Sequence, residues 1–256
     1  MIVNKYNFLR WDDDGSPATT CDDNYLLPVM ENDTLSFYIN FDDPISDDIT
    51  NWELGVWIPD DAIVIRDIAT ISEDDVDGTN NNLYATVTIG VYPGPWFRFV
   101  IYDTGDGDAI KYWSNPLKYK TDDYNTYVIK YRNDFNILNF EYENVESYTN
   151  QFRITGRIGD QLTTKDTTGY ELSSGLFEIA KSIFRKTEDI QTYGLDQYTH
   201  EAFYAAIGHS HLYFDNVRHE ATDQDTYAQN PQGEVTRWNG AVRMQIFDYT
   251  AVASNT

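Results

Sequence analysis

The sequence predicts a mainly β protein with a smaller α+β part. Three observations carry this: apolar and polar residues alternate in short runs through the first 120 residues, turn chemistry separates those runs, and helical spacing appears only near the C-terminal third.

Leu35, Phe37, Ile39 and Phe41 alternate with Ser36, Tyr38 and Asn40. Trp52, Leu54, Val56 and Ile58 repeat the period of two, as do Leu83, Ala85, Val87, Ile89 and Val91. Trp96 to Tyr102 adds an aromatic strand, and Lys111 to Tyr119 a last one, edged at Pro116. Between them stand Asp42-Asp43-Pro44, Pro59-Asp60-Asp61, Asp77-Gly78 and Tyr92-Pro93-Gly94-Pro95, all turn chemistry. Residues 1–120 are therefore expected to form a β-sandwich domain, with the polar run Lys120 to Asn125 as a linker.

Residues 126–256 are expected to form an α+β docking and assembly domain. Thr126 to Tyr131 and Phe152 to Arg157 read as strands. Leu172, Leu176, Ile179, Ala180, Ile183 and Phe184 fall three and four residues apart, which predicts a helix that Ser173 or Ser174 can cap. A second helix is expected from Thr199 to a stop at Gly208, burying Phe203, Ala206 and Ile207. Asp215-Asn216 tolerates the left-handed backbone of a two-residue hairpin, pairing Phe214 with Val217, Tyr213 with Arg218, Leu212 with His219 and His211 with Glu220. Val242, Met244 and Ile246 then alternate with Arg243, Gln245 and Phe247 in a final strand.

The formal net charge of −24 argues against a duplex nucleic-acid partner, whose phosphates are held by basic groups. Lys118, Lys120, Lys130 and Arg132 lie close in sequence but are interspersed with Asp122, Asp123 and Asp134, as on solvated strands. The single Cys21 excludes an intrachain disulfide framework and a cysteine zinc cluster. Stability must then come from burial, for which 20 tyrosines, 13 phenylalanines and 6 tryptophans supply the area. No run approaches the roughly 18 apolar residues that cross a bilayer. Met1 to Lys5 lacks the regions of a secretory signal, so synthesis and folding in a cytoplasm are expected.

The metal pattern with most merit is Glu73, Asp75 and Asp77 before Gly78, which imitates half a calcium loop but lacks the later bidentate acid, since position 84 is Tyr. Acidic turns also bond their own backbone, and that reading is favoured. All four histidines lie between residues 200 and 219, but hairpin alternation sends His211 and His219 to opposite faces. His209, His211 and Glu220 can share a face. There is no Gly-x-Ser-x-Gly elbow or His-Glu-x-x-His helix, and no cofactor is implied. Catalysis is not the reading these motifs favour, although a carboxylate pair for glycoside cleavage is invisible in sequence.

The order of segments resembles structural tail and ring proteins of crAss-like and related phages infecting Bacteroidetes. The likeness covers roughly residues 83 to 250: Trp96 to Tyr102, Ser114-Asn115-Pro116, Phe152-Arg153-Ile154, the two expected helices, Ser210 to Arg218, and Ala241 to Tyr249. The resemblance implies a virion component without catalytic residues, assembled in a bacterial host. It would pack as a homo-oligomeric ring and against other tail or portal-proximal proteins.

On this reading the C-terminal hairpin and strand, aromatic at Tyr213, Phe247 and Tyr249, are expected at an intersubunit contact. The alternative is a carbohydrate- or receptor-binding module of a phage tail, with Trp57, Trp96 and Trp113 stacking on sugar rings. Trp57 is the better candidate than Trp52, which shares a strand face with Leu54 and Val56.

Overall fold

The computed structural model describes residues 7–12, 26–40, 49–59, 63–73, 82–135, 148–220, 228–232 and 237–254. In chain order the strands are β1 (Trp11–Asp12), β2 (Leu27–Val29), β3 (Thr34–Asn40), β4 (Trp52–Ile58), β5 (Ile63–Ala69), β6 (Ser72–Glu73), β7 (Asn82–Thr88), β8 (Trp96–Asp103), β9 (Ala109–Ser114) and β10 (Leu117–Tyr119). They continue as β11 (Thr126–Arg132), β12 (Asn150–Ile158), β13 (Leu162–Glu171), β14 (Phe177–Leu195), β15 (His211–Phe214), β16 (Val217–Glu220), β17 (Ala228–Gln232) and β18 (Arg237–Ser254). The α-helix α1 (Gln197–Ile207) stands between β14 and β15. The chain is mainly β, as its alternating patterns require.

A seven-stranded sheet runs β1-β9-β8-β10-β2, with β4 against β8 and β5 against β4. An eleven-stranded sheet runs β6-β7-β3-β12-β11-β15-β16-β18-β14-β13, with β17 on β18. A further pairing of β12 with β14 joins this second sheet to itself, so β11, β12, β14, β18, β16 and β15 form a closed six-stranded barrel, antiparallel throughout.

Every second residue of those strands points inward. Tyr127, Ile129 and Tyr131 meet Ile154 and Phe152 across the β11–β12 ladder, and Leu212, Phe214, Ile190, Val242 and Met244 complete the buried lining. Closure depends on Gly156, because a Cβ there would lie 2.1 Å from the Gln191 carbonyl oxygen and 2.6 Å from the Tyr127 ring. No larger residue lets β14 approach β12 so closely.

The expected boundary at Lys120 to Asn125 is a turn within one fold, not a break between two cores. Strands β3 and β7, from the first half, belong to the sheet of the second half, with Ser36 opposite Gln151. One continuous buried cluster holds Phe37, Leu54 and Phe99 together with Phe152, Ile154, Phe203 and Met244. Phe8 packs on Phe152 at 5.1 Å and on Tyr131 at 6.1 Å between ring centroids. Arg153 of β12 also clamps Asp33 beside β3, with Nε donating to Oδ2 at 2.7 Å and Nη2 to Oδ1 at 2.8 Å. The alternation of β3 explains this: Leu35, Phe37 and Ile39 feed the core, while its free edge takes up β12.

The helix expected over Leu172 to Phe184 is instead a β-hairpin. Its turn is Ser173-Ser174-Gly175, with Gly175 at φ 79° and its N–H donating to the Leu172 carbonyl at 2.8 Å. Three-residue hairpins favour this geometry. Helix α1 does form. Asp196 caps it, accepting from the Thr199 N–H at 2.7 Å, so the cap stands three residues before the expected one, Thr199. Gly208 ends it, and Ala202, Phe203 and Ala206 are buried. The hairpin after it has the expected register, with Asp215 at φ 46° and Asn216 at φ 67°.

Candidate functional site

Three surfaces and one buried polar cluster are candidates. The first surface is a groove of about 710 Å³ on the outer face of β3, β7, β11 and β12. Its walls follow from strand alternation: Ser36, Thr86, Lys130 and Gln151 project opposite to the core residues beside them, and Tyr84, Tyr148 and Tyr213 add aromatic faces. Lys130 and Arg132 bring the only cationic groups among the lining residues. Their sequence neighbours Lys118 and Lys120 stand at β10, in the other sheet or just beyond it, so the four bases make no common patch.

The histidines are absorbed by the fold. His219 faces the barrel interior opposite Leu212 and lies 2.8 Å from Glu188 Oε2, while Gln161 donates to Oε1 of the same carboxylate at 2.6 Å. His209 follows α1, its Nδ1–H donating to the Ala205 carbonyl at 2.8 Å, with its ring edge-on to Tyr131. Burial pushes the His209 imidazole down to about 4, so it is neutral. His211 sits on the opposite strand face from His219 and contacts Asp134 at 2.9 Å, not Glu220 as the hairpin pairing suggested. That contact holds the Asp134 carboxyl below its ordinary range. His200 is buried and stacks on Trp238 at 5.3 Å. His209 and His211 thus go to separate partners, neither of them Glu220.

Among the described residues no group of three or more His, Cys, Asp or Glu is placed to hold a metal ion. Glu73 ends β6, and Asp75 and Asp77 lie outside the described residues. Among the described residues no helix is long and apolar enough to cross a membrane.

The tryptophans do not form an exposed row. Trp57 and Trp113 are each 6% exposed and meet edge-on at 5.4 Å, while half-buried Trp96 packs on Trp57 at 6.0 Å. With Val100 and Tyr102 they make a small second core on the outer side of the seven-stranded sheet. Trp52, as its strand face implies, is in the main core.

The structure brings Tyr213 and Phe247 near each other through Arg218. Tyr213 pairs with Arg218 across the hairpin, and the Arg218 guanidinium lies 3.6 Å from the centre of the Phe247 ring. Tyr249 is on β18, with its side chain outside the described residues. β18 is paired with β14 on one side and, between Arg237 and Ile246, with β17 and β16 on the other; among the described residues those two ladders stop short of Phe247.

The third surface, which the sequence did not point to, carries the outer edge of β13, which has no strand beside it among the described residues. Strands β13 and β14 extend beyond the barrel as an arm, and every residue from Asp160 to Lys181 is exposed except half-buried Gly169. Leu176 is 66% exposed and Phe177 62%, and Tyr170 and Leu172 accompany them at the tip. The Thr163-Thr164 and Thr167-Thr168 pairs and the Ser-Ser-Gly turn were the available signals.

Comparison with protein-family models, with curated proteins and with solved structures finds no match to this chain.

Proposed function

We propose that this chain is a non-enzymatic structural subunit of a tailed bacteriophage virion, a tail or neck ring component that works by self-assembly and by docking to neighbouring tail proteins. The observation that carries the reading is the arm, a preformed ribbon with apolar side chains in water on an otherwise well-buried barrel. A face of that kind marks a site of protein contact. The buried His219–Glu188 pair supports the same reading, since it is engaged in joining β16 to β14. The test is location: antibody labelling and quantitative mass spectrometry of particles of the encoding phage should find the chain at one fixed copy number. Particles that lack it overturn the reading.

The groove supports the second reading, a carbohydrate- or receptor-binding module of a phage tail. Tyr84, Tyr148 and Tyr213 offer stacking faces beside Lys130, Gln151 and Asn216 as hydrogen-bonding groups. This groove, rather than Trp57, Trp96 and Trp113, would be the sugar site. A glycan array read with the wild-type protein and with Tyr213→Ala separates the two readings.

A further inference from the structure

We infer that the groove on the outer face of β3, β7, β11 and β12 takes an oligosaccharide carrying an acidic sugar, an inference that rests on the second reading, the groove as a sugar site.

Strand register lays a straight track across the sheet. Thr86 of β7 stands opposite Ser36 of β3, Ser36 opposite Gln151 of β12, Gln151 opposite Lys130 of β11, and Lys130 opposite Tyr213 of β15. Residues paired across strands project to one face, so these five side chains follow one another at roughly 4.8 Å per strand, a run of about 19 Å. The Ser36 and Thr86 hydroxyls are oriented by their mutual hydrogen bond at 3.0 Å. Tyr84 adds a ring at the β7 end, held edge-on against the buried Tyr148 at 5.6 Å, and Tyr213 supplies one at the β15 end. A ring at each end with hydrogen-bonding groups between them suits an extended chain of hydroxylated rings better than one compact ring.

The lining selects the ligand by what it contains and by what it lacks. The chain has 42 acidic residues against 18 basic, yet none of the ten lining residues is acidic, and Lys130 and Arg132 are basic. Lys130 makes no ion pair among the described residues. Arg132 has one long contact, Nη2 to Asp134 at 3.8 Å, and that carboxylate is held by His211 at 2.9 Å. The two cations are neighbours on one face of β11, about 7 Å apart along the strand, and Lys130 stands between the neutral Gln151 and Tyr213. That arrangement places one anionic group in the middle of the track, as a sugar carboxylate does. A nucleic acid would bring a phosphate at every step into the field of a chain with net charge −24, which repels it.

A peptide fits worse, on different grounds. Strands β3, β12, β11 and β15 each lie between two others, so the floor has no free edge to pair with an extended backbone. None of the ten lining residues is aliphatic, so no pocket receives an apolar side chain or an acyl chain. Hydroxyls, amides, tyrosine rings and two cations are the complement of a sugar chain with a carboxylate.

The experiment uses the full chain on an array of neutral, uronate-bearing and sialate-bearing oligosaccharides. Calorimetric titration follows, with the acidic glycans that bind and with their methyl esters. Binding should be confined to acidic glycans. Methyl esterification, which removes the charge and keeps every ring, should weaken it at least about tenfold, and Lys130→Gln should do the same. Lys118→Gln, at an exposed base in the other sheet, should leave affinity unchanged, with equal urea midpoints showing that both variants fold. Neutral glycans that bind as tightly as acidic ones and are lost with Tyr213→Ala overturn the inference and leave the sugar reading standing. So does a Lys130→Gln variant that binds like the wild type. No glycan bound up to about 1 mM overturns both. Adenosine monophosphate or a tetraglutamate peptide, titrated in parallel, also overturns both if either binds more tightly than any glycan and is lost with Lys130→Gln.

Discussion

Replacing Arg153 by alanine tests whether the two halves of the chain share one core. Its guanidinium makes two hydrogen bonds to the Asp33 carboxylate and a third to Thr126 Oγ1 at 3.2 Å, and the ion-paired side chains are 12% and 13% exposed. The carboxylate and its hydrogen bonds hold the Arg153 guanidinium above its ordinary value. Losing one partner of a fully buried pair costs about 3–5 kcal/mol. Here Asp33 keeps the Met30 N–H at 2.8 Å, and water reaches the vacated side, so about 2–3 kcal/mol is expected. For a domain of this size that lowers Tm by roughly 5–10 °C. Five of the six tryptophans precede residue 120, so their fluorescence follows the first half, while far-ultraviolet circular dichroism follows every strand. Urea unfolding should give one transition by both probes, and Arg153→Ala should shift both midpoints together at constant slope. Two transitions separated by more than about 0.5 M urea, with only one moved by the variant, would refute the single core.

Two further outcomes follow from the site descriptions. Because the buried His209 titrates near 4 in the folded chain against an ordinary 6.5, the unfolded chain binds the extra proton first, and stability falls as pH drops from about 6.5 to about 4. The full effect is about 3 kcal/mol, so His209→Gln, which keeps a donor for the Ala205 carbonyl, should unfold with a shallower pH dependence across that window; an unchanged dependence would remove burial as the cause. Gly156→Ala should cost about 1–3 kcal/mol by forcing β12 from β14, measured by urea unfolding, and a loss below about 0.5 kcal/mol would mean that the barrel seam gives freely.

Local pattern revealed most strands, and long-range pairing decided what it could not. The hairpin around Asp215-Asn216 and the alternation of Val242, Met244 and Ile246 were legible because each is set within about ten residues. The pairing of Ser36 with Gln151 was not, since nothing in either strand's own pattern names its partner. The arm was misread for a physical reason. Thr168 pairs with Lys181 but Gly169 with Ile179, so Ala180 is an extra residue in β14. That bulge shifts the period of two by one position and leaves Ile179, Ala180, Ile183 and Phe184 with the spacing of a helix face. The groove and the buried His219–Glu188 pair arise from strands far apart in sequence, and their members carry no shared local motif.

The pairing of β3 with β12 also sets a timetable for synthesis. Ser36 leaves the ribosome about 115 residues before Gln151, which at roughly 5–20 residues per second is a wait of about 6–23 s. Through that interval β3 can hold β7 on one side while its other edge has no native neighbour. A strand carrying Leu35, Phe37 and Ile39 is then a ready template for the wrong chain, most of all on polysomes where identical nascent chains are close together. Slowing elongation between residues 90 and 150 should lengthen this exposure and lower the yield of native protein, whereas pauses after Ile158, once β12 has emerged, should be harmless to it.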